Sequence, residues 1–548
     1  MSDDGKISRR NFFLRGTAAG CGLAAASLAS SLLPLAAAAP APGKPGRTRP
    51  GLEPWEVPPP PIPARKIREV VEADVVVLGT GIAGLTAAAS AAEKGAKTVL
   101  LGKWKTYVGN GGGVGAFNSK IQQADGGPWA DVERKERLTR DALIYGILRE
   151  GSYRGDQRVV TLWVDQSGAC LDWLNGILER YGDSFINPLI TAHDLKSGGR
   201  NFTVFGYVED YARKLRVDVR YEHEGVRLLR RPDGRVTGLI ARNGAGEYVQ
   251  FNAKGGVILC TGGYAHNMAM LEKWQPTSGA LAESVSFRPA LNTGDGIKMA
   301  LWIGAAVDDT PHLSNLFDGG MEGWLPEVGG RMPIDRQPWL YVNQRGERYV
   351  QEGLPLYGYR CNAVLSQPGH RHWVIWDGKW EKDAEVFVGE GCAKMKGHAY
   401  HPEHLASAMK KGLIKQAPSL AELARLMEVP WDNFKATVDR YNELYRLKAD
   451  PDFGKNPAYL TSIVQPPFFA AKTGPTSLGT LSGLKINNRL EVLDAVGAPI
   501  PGLYAAGNDS GCMFFNCFPF QYPTLTTGRA MVFGRLAALR AADVAAKV

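Results

Sequence analysis

Residues 73–103 restrict the folds open to this chain more than any other stretch. They read Ala-Asp-Val-Val-Val-Leu, then Gly79-Thr80-Gly81-Ile82-Ala83-Gly84, then an Ala-rich run to Gly95, then Thr98-Val-Leu-Leu101. A short run of β-branched residues without polar alternation is a strand buried on both faces, as a parallel sheet requires. The Ala-rich run is a helix whose small side chains can lie close to that sheet, and Gly95 stops it. The strand–helix–strand order puts the three glycines on the first turn. Gly79 permits the tight turn, Gly81 lets a pyrophosphate approach the backbone, and Gly84 lets the helix pack on the strand. The free N–H groups at the helix start, around Ile82 and Ala83, and the positive helix end would hold that anion. Such units usually end their second strand on an acidic residue for the ribose hydroxyls. Here Gly102 occupies that place, followed by Lys103. Either backbone groups and Lys103 hold the ribose, or the nucleotide sits differently.

Ahead of this unit, the N-terminus reads Ser8-Arg9-Arg10-Asn11-Phe12-Phe13-Leu14-Arg15 and continues as a weakly apolar, Ala-rich segment to Ala39. Residues 1–39 are read as a twin-arginine export signal, cleaved near Ala36–Ala39, a route that carries folded and cofactor-loaded proteins. The expectation is a periplasmic or extracytoplasmic protein without a stable transmembrane anchor. Residues 40–70, with Pro58 to Pro61, read as an extended tether. The 548 residues suffice for two or three domains. The net charge of +9 is not gathered into a basic run with interleaved aromatics, which argues against nucleic acid. A mild positive field suits an anionic substrate or an acidic electron-transfer partner. None of the seven cysteines forms a CxxCH or CxxC pair, so no haem, iron–sulfur or other metal site is expected. Cys512 and Cys517 could form a disulfide, but free buried thiols are the favoured reading.

Further along stands Val108-Gly109-Asn110-Gly111-Gly112-Gly113-Val114-Gly115-Ala116-Phe117-Asn118. So many glycines imply a backbone pressed against something flat or phosphorylated. Gly112, Gly113, Gly115 and Asn118 are therefore candidate cofactor contacts. Residues 131–185 read as helical, and residues 217–257 as short antiparallel strands. A buried strand then ends in Thr261-Gly262-Gly263. Asn292-Thr293-Gly294-Asp295 opens a helix, Gly502-Leu-Tyr-Ala-Ala-Gly507-Asn508 follows much later, and a last helix runs from about Thr524 to Ala546.

These segments, in this order, resemble the flavoprotein family of soluble fumarate reductases and 3-ketosteroid Δ1-dehydrogenases, over nearly all of residues 71–546. The resemblance implies one non-covalent FAD and an α/β fold: a split Rossmann-like FAD-binding domain, residues 71–330 and 471–548, around an inserted α+β capping domain, residues 331–470. It implies that Asp295 lies near the nucleotide or pyrophosphate. Asn508 stands where many members carry an acidic residue that contacts the ribitol. The first turn of the last helix, with Thr524 and Leu525, would face the flavin N1/O2 edge, where its positive end stabilises the reduced, anionic flavin.

Flavin at an apolar cap suits hydride transfer from N5 to a C=C conjugated to a carbonyl or carboxylate, with a positioned acid for the second carbon. The resemblance implies an arginine acid four residues after Glu352, but that residue is Leu356. It implies a carboxylate-binding histidine where Gly479 stands, and an arginine near Gln521 or Tyr522. The dicarboxylate clamp is thus mostly absent, which argues against fumarate. Arg360, Tyr357 and Tyr522 are the candidate catalytic residues, the tyrosines fitting the ketosteroid branch. An exported flavoprotein without its own haem needs a separate donor, and a c-type cytochrome is the expected one. The expected activity is an exported reductase of a small unsaturated acceptor. Ketosteroid dehydrogenation is the alternative, and a flavin electron carrier the non-enzymatic one.

Overall fold

The computed structural model describes residues 52–109, 113–124, 138–198, 201–284, 291–321, 337–353, 357–385, 387 and 402–548. The export signal and the first part of the Pro-rich segment lie outside them. Among the described residues no helix is long and apolar enough to cross a membrane.

The first half runs β1 (Ile67–Leu78), α1 (Ile82–Glu93), β2 (Thr98–Leu101) and β3 (Val114–Gly115). Helices α2 (Lys120–Ala124), α3 (Arg140–Glu150) and α4 (Gln157–Glu179) follow, then β4 (Phe185–Leu189), β5 (Ala192–Leu195) and α5 (Asn201–Lys214). The chain continues with β6 (Asp218–Arg220), β7 (His223–Arg230), β8 (Val236–Asn243), β9 (Tyr248–Leu259) and α6 (Met268–Trp274). Next come β10 (Glu283–Ser284), α7 (Asp295–Leu301), β11 (Ser314–Met321), β12 (Leu340–Val342), α8 (Tyr357–Leu365) and β13 (His372–Trp376). Helices α9 (Trp380–Ala384), α10 (Pro402–Lys410), α11 (Leu420–Met427) and α12 (Trp431–Leu447) surround β14 (Ile414–Ala417). The end of the chain supplies β15 (Phe468–Thr480), β16 (Glu491–Leu493), β17 (Pro499–Ala505) and α13 (Leu525–Ala545).

Among the described residues these strands form three sheets. The largest has the order β16-β17-β9-β1-β2-β6, with β7 and β8 added beside β9. Strands β1, β2, β6, β9 and β17 are parallel neighbours, and their registers end together: Leu78 pairs with Leu101 and with Leu259, and Leu259 with Ala505. That shared ending matters for function. It brings the turn at Gly79, Gly102, Cys260–Gly262 and Ala506–Asn508 to one carboxyl edge, where open α/β sheets bind ligands.

The Ala-rich sequence of α1 has its physical reason in α13. The two helices pack so closely that a Cβ on Gly534 would come 2.1 Å from the Ala83 carbonyl oxygen, and the Thr86 hydroxyl reaches the Met531 carbonyl at 3.3 Å. Likewise a Cβ on Gly255 of β9 would meet the Ala541 oxygen at 2.1 Å. Small residues on three elements thus fix the body of α13 against α1 and the sheet.

The second sheet is centred on β15, which pairs with β10, β11, β13 and β14, while β12 adds to β13. It draws β11 from before residue 331, and β15 runs on past residue 470. Phe434, Val438, Tyr441 and Leu444 of α12 pack on Leu340, Val342, Trp373 and Ile375 of this sheet. The end of β15 and the start of β11, paired through Ser314 and Thr480, carry it to the carboxyl edge of the first sheet. Strands β3, β5 and β4 form the third, small sheet.

The Pro-rich segment departs from the expected free tether. Residues 54–56 and 64–66 form 3-10 turns, and β1 begins at Ile67. Trp55 meets Trp274 edge to face at 5.1 Å, its carbonyl accepts from Trp302 Nε1 at 3.0 Å, and Glu56 pairs with Lys273 at 2.5 Å. Tryptophan provides enough apolar area to dock a segment whose prolines cannot build a helix or sheet of their own.

Candidate functional site

The aligned strand ends open a cleft of about 1360 Å³, part of it open to solvent. Gly79, Thr80, Gly81, Ile82 and Ala83 line it. The three fingerprint glycines have separate reasons. Gly79 has φ 119°, and a Cβ there would stand 2.0 Å from the Cys260 oxygen. A Cβ on Gly84 would stand 1.7 Å from the Gly79 oxygen. Both are demanded by the protein's own packing. A Cβ on Gly81 would find only the Val108 oxygen, at 3.2 Å, so its bareness serves the cleft. Helix α1 has no side-chain cap at Gly81, and its first intrahelical bond runs from Leu85 N to Gly81 O. The N–H groups of its first turn therefore face the cleft without an intrahelical partner.

A charged group lies where the nucleotide's ribose is expected. Lys103 Nζ sits 2.9 Å from Glu224 and 2.9 Å from Asp295, and donates to Thr293 Oγ1 at 3.2 Å. Glu224 also pairs with Arg242 at 2.7 Å, and Asp295 with Lys298 at 2.8 Å. Burial works against both carboxylates, but the cations outweigh it and hold each below its usual range; burial likewise opposes Lys103, whose two acidic partners raise it. Glu224 sets a carboxylate beside Lys103, next to a Gly102 that offers none. It comes from β7, which lies beside β2 because His223 N donates to Gly102 O at 2.8 Å. No side chain fits at Gly102: a Cβ would be 2.8 Å from Thr80 Cγ2 and 3.0 Å from Tyr221 Cδ1. No local spacing in the sequence pointed to Glu224.

A third group comes from the far strands. Thr261 and Gly262 line the cleft, as do Gly507 and Asn508. Asp509, fully buried, accepts from Thr261 N at 2.5 Å, Thr261 Oγ1 at 2.8 Å and Gly263 N at 3.0 Å, locking these two loops together. Gly263 thus holds the loop rather than lining the cleft. Leu478, Gly479 and Asn315 arrive from β15 and β11. Asn315 Oδ1 is buried without a hydrogen-bond partner, a vacancy for a ligand donor. An uncapped helix start, a bare Gly81 and this orphaned acceptor together fit a dinucleotide carrying a polar ring system.

Several expected contacts lie elsewhere. Gly112 and the side chain of Tyr357 are outside the described residues. Asn118 adopts φ 63° and is exposed, its Oδ1 accepting from Gln123 at 3.0 Å, because the left-handed turn that starts α2 sends it outward. Gly113 and Gly115 pack on Thr524: a Cβ at Gly115 would be 2.6 Å from the Thr524 oxygen. Thr524 itself is left-handed (φ 64°) and Leu525 is buried in the core, so Thr526 and Thr527 line the cleft in their place. The Tyr522 hydroxyl donates to Ala142 O of α3 at 3.4 Å, and Tyr522 does not line the cleft. On α12, Trp431 is exposed, whereas Tyr441 is buried. Cys170, Cys260, Cys361, Cys512 and Cys517 are free thiols.

Arg360 is buried, and its Nη1 donates to the carbonyl of Glu352 at 3.2 Å; it is not among the residues that line the cleft. The loop it touches is held by buried charges. Arg348 grips Glu352 through two bonds of 2.8 Å and Asp450 through bonds of 3.1 and 2.7 Å. Lys455 Nζ lies 3.2 Å from Glu352 and donates to Tyr441 at 2.6 Å; burial pulls it down to about 8. Beside Arg360, buried His372 bonds the Tyr349 hydroxyl and, at 2.7 Å, Thr473 Oγ1. Burial first, then Arg360 and Arg371, pull its imidazole down to about 3, so it is neutral.

Comparison with known proteins agrees with this geometry. A family model described as FAD binding domain matches residues 74–517. The vinyl phenol reductase of Lactiplantibacillus plantarum is 29% identical over 86% of this chain and 96% of its own length. The 3-oxosteroid 1-dehydrogenase of Mycolicibacterium smegmatis is 28% identical over 87% of this chain and 98% of its own. Among solved structures, the open conformation of a flavocytochrome c3 fumarate reductase shares the fold with a TM-score of 0.68, at 24% identity, over 88% of this chain and 80% of that one. The chain therefore belongs to the FAD-binding flavoprotein family of fumarate reductases and 3-ketosteroid dehydrogenases, and its cofactor is FAD.

Proposed function

We propose that this protein is an exported FAD-dependent reductase of a C=C bond conjugated to a carbonyl or carboxylate, and that fumarate is not its substrate. The observation that carries the second part is Gly479: at the position expected to bind a carboxylate it lines the cleft and brings no donor side chain. Leu356 likewise stands where the resemblance places an arginine, and Gln521 and Tyr522 where it places a second one. A dicarboxylate would therefore lose its hydration there without recovering paired charges from those positions. The relatives' names, vinyl phenol reductase and 3-oxosteroid 1-dehydrogenase, support an acceptor or donor with a conjugated C=C.

In this reading the FAD is non-covalent, the eight-stranded sheet carries it, and the six-stranded sheet and its helices form the cap. Bound FAD supplies the hydride for the β-carbon of the acceptor. The first turn of α1 holds the pyrophosphate, and Glu224 with Lys103 holds the ribose. The first turn of α13, through Thr526 and Thr527, places its positive end at the ring edge. Arg360 delivers the proton. Tyr357, three positions before it at the start of α8, is the second candidate. Tyr522 is the third candidate, behind the start of α13. The neutral His372 and the Glu352 carbonyl keep Arg360 oriented. Arg9-Arg10 direct export, and the electron donor is a c-type cytochrome.

The test is an anaerobic panel with reduced viologen: aryl enoates, urocanate-like acids, unsaturated dicarboxylates and ketosteroids. The expected result is turnover of mono-acid or neutral enoates and none of fumarate; turnover of fumarate alone refutes the proposal, and steroid dehydrogenation alone selects the other branch. Arg360→Met should lower turnover by about 10²–10⁴-fold with flavin content unchanged.

A further inference from the structure

Arg529, on the second turn of α13, is completely buried. Its Nη1 donates to Leu481 O at 2.8 Å and Ser510 O at 3.2 Å, and its Nη2 donates to Asn508 Oδ1 at 2.9 Å. Its guanidinium lies 5.0 Å from the Phe514 ring. All three acceptors are neutral, and its Nε has no partner. The nearby carboxylates are engaged elsewhere: Asp308 accepts from Gly483 N at 3.1 Å and Cys512 N at 3.0 Å, and Asp509 is bound to the Thr261–Gly263 loop. Burial pulls Arg529 down to about 10, with Asp308 and Asp509 opposing, so it remains a cation at neutral pH. Such a charge is expensive to bury without an ionic partner.

Its position gives that expense a purpose. A guanidinium offers only donors, so it dictates which end of the Asn508 amide it meets. With Oδ1 held by Arg529, the Asn508 NH₂ must point away from it. That NH₂ lies over Gly479, where a Cβ would stand 2.9 Å from Nδ2, and both residues line the cleft. We propose that Arg529 is a positioning residue which fixes Asn508 as a hydrogen-bond donor toward the flavin and keeps a positive charge behind it, raising the flavin's reduction potential. The inference rests on the placement of the flavin beside Asn508. A donor backed by positive charge favours the electron-rich, anionic reduced ring over the oxidised one. An acidic residue at 508 would instead close an ion pair with Arg529 and present negative charge to the ring. The asparagine therefore favours electron transfer from the donor into the flavin and leaves the reduced flavin a milder hydride donor.

The experiment is a spectroelectrochemical titration of the flavin in holoprotein. Arg529→Gln and Arg529→Met should each weaken the hold on reduced relative to oxidised flavin by at least tenfold, a midpoint lower by about 30 mV for a two-electron couple. Arg529→Lys, which keeps the charge, should retain most of the potential and serves if the other variants fold poorly. Asn508→Asp should lower the midpoint too. Asn508→Ala separates the two levels. If it shifts the midpoint while Arg529→Gln leaves it unchanged, the flavin is beside Asn508 and the role of Arg529 is refuted. If Asn508→Ala changes neither spectrum nor midpoint, the flavin placement itself is wrong, and the inference falls with it.

Discussion

Gly81 and Gly84 should respond to the same substitution in opposite ways. In Gly84→Ala the new methyl would stand 1.7 Å from the Gly79 oxygen and 2.8 Å from its carbonyl carbon. Backbone cannot swing aside as a side chain can, so α1 must lift from the sheet and from α13. Overpacking costs about 1–3 kcal/mol, occasionally more, and a backbone clash this deep belongs at about 3 kcal/mol or above. In Gly81→Ala the methyl meets only the Val108 oxygen at 3.2 Å, in a conformation, φ −78°, that alanine adopts freely. The fold should lose about 1 kcal/mol or less. The methyl would, however, hold the pyrophosphate off the first turn of α1. Losing one hydrogen bond to a charged group costs about 1.5–3 kcal/mol, or roughly 10- to 150-fold in the dissociation constant. After flavin removal, urea unfolding of the apoprotein reads the first effect, and quenching of added FAD fluorescence reads the second. Gly84→Ala should unfold early, and Gly81→Ala should fold normally but bind FAD weakly. Wild-type FAD affinity in Gly81→Ala would sink the assignment of that glycine to the ligand; an apoprotein of Gly84→Ala as stable as wild type would sink the packing argument.

Two further outcomes follow from buried charge. Burial pulls His193 and His312 down to about 4 and His372 to about 3, whereas an unfolded histidine titrates near about 6.5. Between those values the unfolded chain binds protons that the folded one refuses, so stability should fall as pH drops from about 6.5 toward 4, by roughly 1.4 kcal/mol per pH unit for each histidine. His372→Gln should remove about one proton's worth of that slope in urea titrations across pH, and an unaltered slope would show that His372 is not held neutral. Glu352→Gln leaves Arg348 and Lys455 buried with one carboxylate fewer, which should cost about 3–5 kcal/mol; a loss under about 1 kcal/mol by urea unfolding would mean that water reaches the cluster.

The sequence by itself determined the βαβ unit, the parallel strand ending at Thr261, the long final helix and, through these, the FAD family. Each of those rests on residues a few positions apart: an unbroken β-branched run, an Ala-rich run, glycines at fixed spacing. Steric and hydrogen-bonding rules act over that range, so a linear reading suffices. What only the tertiary structure decided is the set of partners drawn from distant strands. Lys103 meets Asp295 across 192 positions, and Thr261 meets Asp509 across 248. Glu224 reaches Lys103 because β7 follows β6, the neighbour of β2, and at Gly102 no side chain fits beside Thr80. Thr526 and Thr527 reach the cleft instead of Thr524 and Leu525 because one left-handed residue, pressed on Gly113 and Gly115, turns the helix start by a fraction of a turn. The expected site at Asn118 was lost to a similar local turn. Arg529 shows the limit most plainly. In sequence it is one arginine on a helix that carries others; only the crossing of α13 over the loop after β17 buries it behind Asn508, where its charge faces the cofactor site.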